Sequence, residues 1–127
     1  MASAISWFEI PVSDMDRACK FYSEIMDYKI ESYDVTMGDF TTTMAMFQFN
    51  PEEGEIGGSL VKNQHHNPSN DGVLVYLKGG EDLNGILGKV ESFGGKILLP
   101  KASIGENGFM AMFLDTEGNK IGLHSTK

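Results

Sequence analysis

Cysteine is represented once in this chain of 127 residues, as Cys19, so no intrachain disulfide can form and an oxidising compartment is not indicated. Basic residues are also in short supply. Ten Lys+Arg against 18 Asp+Glu leave a formal charge of −8, and such a surface repels phosphate backbones and anionic headgroups, so neither nucleic-acid nor membrane partners are expected. No apolar run approaches the roughly 20 residues of a membrane span. The stretch from Met1 to Trp7 carries no basic leader, and a cytoplasmic home is the expectation. With 41% hydrophobic and 22% charged residues, the composition excludes disorder and fibrous repeats and fits one domain with its own core.

What the sequence does have is a copy of itself. Met44-Ala45-Met46-Phe47 recurs as Met110-Ala111-Met112-Phe113, and each copy leads through an acidic, glycine-containing turn to an Ile-Gly pair, Ile56-Gly57 and Ile121-Gly122. A helical pattern precedes each copy. Met15, Ala18, Cys19, Tyr22, Ile25 and Met26 form one apolar stripe at helical spacing, and Leu83, Ile86, Leu87, Val90 and Phe93 form the other. Ser13 with Asp16 three residues on suits the first helix start, Glu81 and Asp82 suit the positive end of the second, and Gly94-Gly95 stops it.

Strand candidates surround the helices. They are Trp7 to Val12, Lys29 to Tyr33, Thr41 to Phe49 and Ile56 to Lys62, then Val73 to Leu77, Lys96 to Leu99, Phe109 to Leu114 and Lys120 to His124. The order is strand-helix-strand-strand-strand, twice. The fold expected is α+β: tandem βαβββ modules forming a curved mixed sheet cup with helices on its outer face, module 1 over residues 5–62 and module 2 over 73–127. Residues 63–72 read as a polar linker, and His65 and His66 within it are either solvent-exposed or a metal-binding pair.

Phe8-Glu9-Ile10-Pro11-Val12 leading into Asp14-Met15-Asp16-Arg17-Ala18 and Phe21-Tyr22, together with the duplication, resembles the vicinal oxygen chelate superfamily of glyoxalases, bleomycin-resistance proteins and extradiol dioxygenases. Phe113-Leu114-Asp115-Thr116-Glu117-Gly118-Asn119 resembles the last hairpin of that superfamily. The resemblance implies a sheet cup in which His, Gln or Glu from the first and last strands of each module hold a divalent ion. The corresponding positions here fall on Trp7, on or near Val73, and on Gly57 and Gly122, whose side chains cannot coordinate a metal. No cofactor is therefore expected. A displaced divalent metal is the alternative, with Gln48 or Asp115 as further donors.

Strand parity then nominates a ligand-binding set: Trp7 as a stacking surface, Glu9 and His124 as polar contacts, Met44 and Met112 as adaptable walls, and Gly57 and Gly122 as an open floor. Each has a plainer reading. Glu9 could pair with Arg17 or Lys20, His124 could lie frayed and solvent-exposed three residues from the end, the glycines could mark β-bulges or close sheet packing, and the methionines could fill the core, in which case Phe47 and Phe113 would face the cup. Residues 101–108 are read as a flap or a solvent loop. Cys19 and Ser103 lack a histidine base at informative spacing, so nucleophilic catalysis is set aside. The expected function is binding of a small, partly apolar molecule, with a homodimer as the expected assembly. The alternatives are a lyase, isomerase or dioxygenase using Glu9 as general base, and a protein-interaction module.

Overall fold

A computed structural model describes residues 3–127, and its elements follow the duplicated order. Module 1 runs β1 (Trp7–Pro11), α1 (Met15–Met26), β2 (Ser32–Met37), β3 (Phe40–Met46) and β4 (Gly57–Lys62). Module 2 repeats it as β5 (Val75–Lys78), α2 (Asn84–Val90), β6 (Lys96–Ser103), β7 (Phe109–Leu114) and β8 (Lys120–Ser125). The strands form two four-stranded mixed sheets, ordered β1-β4-β3-β2 and β5-β8-β7-β6. In each sheet the first strand pairs in parallel with the last, and the other pairings are antiparallel.

Parity along the strands decides which side chains meet the helices. Ala45, Phe47, Ala111 and Phe113 join Ile10, Leu60, Ile121 and Leu123 in one core with Ala18, Phe21, Tyr22 and Leu87 of the helices. Met44, Met46, Met110 and Met112 lie on the opposite face, so the repeated Met-Ala-Met-Phe segment splits its apolar content between two surfaces. Phe21 completes the stripe of α1 and lies 5.9 Å from the ring of Phe113, which carries the core across both modules. Cys19 and Met26 are only partly buried at its margin.

Several boundaries differ from the sequence reading, each for a local reason. Asp14 rather than Ser13 caps α1, its carboxylate accepting from Arg17 N at 3.1 Å, because the Ser13 and Asp14 amides are both taken by Glu117. Strand β2 begins at Ser32, not Lys29. Its register with β3 is set by the tight Gly38-Asp39 hairpin, where Gly38 takes φ +58°, a left-handed conformation that glycine adopts without steric cost. Strand β6 continues through Pro100 to Ser103 because it is a sheet edge and two register shifts interrupt its pairing with β7. The expected loop at 101–108 is therefore reduced to Ile104–Gly108. Val73 precedes β5 and is 96% exposed, so it does not occupy the sheet position assigned to it.

Candidate ligand cavity

The face of the second sheet that points away from the helices is built row by row across β5, β8 and β7. Tyr76 pairs with Gly122, which pairs with Met112; one pleat on, Lys78 pairs with His124, which pairs with Met110. Since parallel pairing puts Trp7 beside Gly57 in the first sheet, the counterpart of Trp7 is Tyr76, which the sequence reading passed over in favour of Val73.

Both glycines have one physical role. A methyl group at Gly122 would sit 2.5 Å from Cδ2 of Tyr76, so the missing side chain lets the tyrosine ring lie down over strand β8. Gly57 likewise makes room for the ring of Phe49, which meets Trp7 edge-on at 5.9 Å between centroids. The expected open floor is thus roofed by an aromatic ring at each glycine.

Above the second sheet lies a cavity of about 390 Å³ lined by Tyr76, Leu77, Lys78, Ile104, Met110 and His124. Loop 104–108 leans over it. Nε2 of His124 lies 2.6 Å from the Asn107 carbonyl, which only accepts, so Nε2 carries the proton and Nδ1 is the ring nitrogen left for other contacts. His124 belongs to a fully paired strand despite its place near the chain end.

The remaining nominated residues lie on the first sheet or at its edge. Met44 is buried, Trp7 half-buried, and Gly57 buried beneath Phe49. Glu9 lines a separate cavity of about 170 Å³ with Pro11, Val75, Lys120 and Asp71, where the two sheets approach. Its partner is neither Arg17 nor Lys20 but His66, whose Nε2 lies 3.2 Å from Oε1. Residues 63–72 thereby form a strap: His66 also meets Asn63, Asn63 Nδ2 donates to Thr42, and Ser69 N donates to Asn119. A third, wide cavity of about 720 Å³ runs along Tyr28, Met46, Phe49 and Gln48 at the end of the first sheet.

A buried polar cluster joins the modules. Asp115 accepts from Tyr22 Oη at 2.7 Å and from the backbone amides of Glu117 and Asn119, and Asn119 Nδ2 donates both to Asp115 and to the Pro11 carbonyl. Burial raises the Asp115 carboxyl above its usual range against the pull of these bonds, and burial beside Asp115 pushes the Tyr22 hydroxyl well up. These bonds occupy Asp115 as a structural acceptor. Glu117 behaves oppositely. Burial disfavours its charge, but hydrogen bonds from Arg17, the Asp14 and Ser13 amides and Thr116 prevail and hold it at about 2. Burial, with Asp16 nearby, raises the Cys19 thiol and leaves little of the reactive thiolate.

The corner positions inherited from the resemblance do not fit a divalent ion. They carry an indole, an isopropyl group outside the sheet and two glycines, and among the described residues no three His, Cys, Asp or Glu side chains gather where they could hold one.

Two βαβββ modules, each pairing its first strand in parallel with its last, define a class of paired-module sheet proteins with ligand-sized space on the face opposite the helices. Over residues 4–123 the chain matches, and it belongs to, the Glyoxalase/Bleomycin resistance protein/Dioxygenase superfamily. No curated protein matches it. Among solved structures, the trypanothione-dependent glyoxalase I of Leishmania major is 23% identical with a TM-score of 0.66, covering 98% of this chain and 88% of that one. TnmS3, an antibiotic binding protein from Streptomyces sp. CB03234, is 22% identical with a TM-score of 0.62 over 99% and 98% of the two chains. A variant of glyoxalase I from Zea mays is 23% identical with a TM-score of 0.66; the match covers 94% of this chain but 45% of that enzyme. At these identities the likeness establishes the fold.

Proposed function

We propose that this protein binds a small, partly apolar molecule in the cavity over its second sheet, without a metal held at the superfamily's usual corners. The observation that carries this reading is the 390 Å³ cavity itself, of ligand size and walled by the side chains of Tyr76, Ile104 and Met110 with His124 and Lys78 as polar groups, while Leu77 turns its side chain into the core behind it. Met112 and Gly122 extend the same face, while Trp7, Met44 and Gly57 serve the first sheet. The description of TnmS3 as an antibiotic binding protein lends support, since that protein shares this fold. We place the protein in the cytoplasm as a homodimer.

Native mass spectrometry and elemental analysis on protein purified without chelator test this together. A retained organic molecule without stoichiometric metal is the expected result, and the same spectrum reads the dimer mass. A stoichiometric ion would overturn the metal-free reading. A second reading, a lyase, isomerase or dioxygenase with Glu9 as general base, draws on the Glu9–His66 pair at the sheet junction. For it, Glu9→Gln must abolish turnover while the fold persists.

A further inference from the structure

We infer that the occupant of the cavity over the second sheet is an aromatic anion: a planar apolar body carrying one carboxylate or comparable acidic group. This inference rests on the proposal that the cavity binds a ligand, and names its chemistry.

Charge is the first observation. The chain carries 18 acidic residues against 10 basic ones, yet among the described residues no Asp or Glu lines this cavity. Its ionisable lining groups are Tyr76, Lys78 and His124, with Lys78 and His124 side by side in the parallel register of β5 and β8. Lys78 is exposed and engaged in no ion pair among the described residues, in contrast to Lys101 and Lys29, which are paired with Asp82 and Glu31. An ammonium at the mouth of an otherwise apolar hollow favours an anionic ligand and repels a cationic one, and the acid-rich remainder of the surface leaves this spot as a local contrast.

Shape is the second. The bare backbone at Gly122 lets the Tyr76 ring lie across β8, so part of the floor is an aromatic surface that remains 47% exposed. Met110 flanks it on the sheet, and Ile104 reaches over from the loop. A ring, a thioether and a branched aliphatic group suit a flat apolar body better than a flexible polar one.

Orientation follows from Lys78. With Nε2–H given to Asn107, the imidazole is held by the loop that covers the cavity, and Lys78 lies beside it. Nδ1 of His124 is then an acceptor with no proton to give an anion, so the acidic group of the ligand would sit at the Lys78 ammonium and its rings over the Tyr76–Gly122 row, one pleat away.

The test uses two probes of equal shape, 2-naphthoate and 2-naphthamide, titrated by calorimetry into the full chain and its Lys78→Met and Tyr76→Ala variants. Naphthoate should bind at least tenfold more tightly than naphthamide. Lys78→Met should remove that margin while naphthamide, which also reports that the fold is intact, keeps its affinity; Tyr76→Ala should weaken both probes. Equal affinity for the two probes, both weakened by Tyr76→Ala, would overturn the anion and leave the cavity's role as a binding site standing. Absence of binding by both at millimolar concentration would overturn both.

Discussion

Glu117 receives two amides, a guanidinium and a hydroxyl on a single carboxylate, with its side chain shielded from solvent and Arg17 Nε at 2.7 Å. Its proton affinity is depressed to about 2, below the ordinary 4.5. A carboxyl depressed in the folded state contributes stability that is complete above its unfolded value and is lost as pH falls through the folded one. The wild-type protein should therefore lose stability between pH 4.5 and about 2. Glu117→Gln should cost about 2 kcal/mol at neutral pH and flatten this acid limb, as read by urea denaturation at a series of pH values. Asp115 works in the other direction: with its carboxyl raised, acid relieves the cost of keeping its charge buried, so the loss traced to Glu117 is not a general property of the buried carboxylates. Ser59 is a different case. It is fully buried and its Oγ has no hydrogen-bond partner among the described residues, so Ser59→Ala removes an uncompensated polar group. That variant should be neutral or more stable by up to about 1 kcal/mol in thermal denaturation; a loss above that would reveal a partner for the hydroxyl.

Strands β5 and β8 show how one missing side chain shapes an element. A methyl at Gly122 meets three atoms of the Tyr76 ring, so Gly122→Ala should displace the ring and cost about 1–3 kcal/mol. Tyr76→Ala on its own should be milder, since the ring is half-exposed, and the double variant should recover most of the Gly122→Ala loss. Additive losses in a denaturation double-mutant cycle would show that the glycine serves something other than the ring. These elements also show what the sequence disclosed. The period-2 alternation of Met-Ala-Met-Phe announced that Phe47 and Phe113 share one face and the methionines the other, and the structure alternates them so. Tyr76 was missed because its position is fixed by pairing with β8, some 46 residues away, and no local pattern reports a parallel register.

Across the whole molecule, the modules are joined by more than a linker. Phe21 and Phe113 touch in a shared core, Tyr22 of α1 bonds Asp115 before β8, Arg17 pairs with Glu117, and Asn119 bridges Pro11 and Ser69. Contacts of this kind make independent unfolding costly, because opening either module strands buried polar groups of the other. Trp7, the single tryptophan, lies in the first module, so its fluorescence and the far-ultraviolet circular dichroism of both modules should give one coincident urea transition. Two separated midpoints would show that the modules are independent.

Direct repetition and periods of 2 and 3.6 residues carried the duplication, the order of elements, the two helical stripes and the sorting of Met and Phe onto opposite strand faces, but left open which of those faces enters the core. Tertiary structure alone decided that Tyr76 lies over Gly122, that Glu9 and His124 line different cavities, and that His66 ties residues 63–72 to the first strand. Each of those is a meeting of residues distant along the chain. Local physical preferences fix what a segment becomes, but the partner it meets is fixed by how two separately formed sheets share one core.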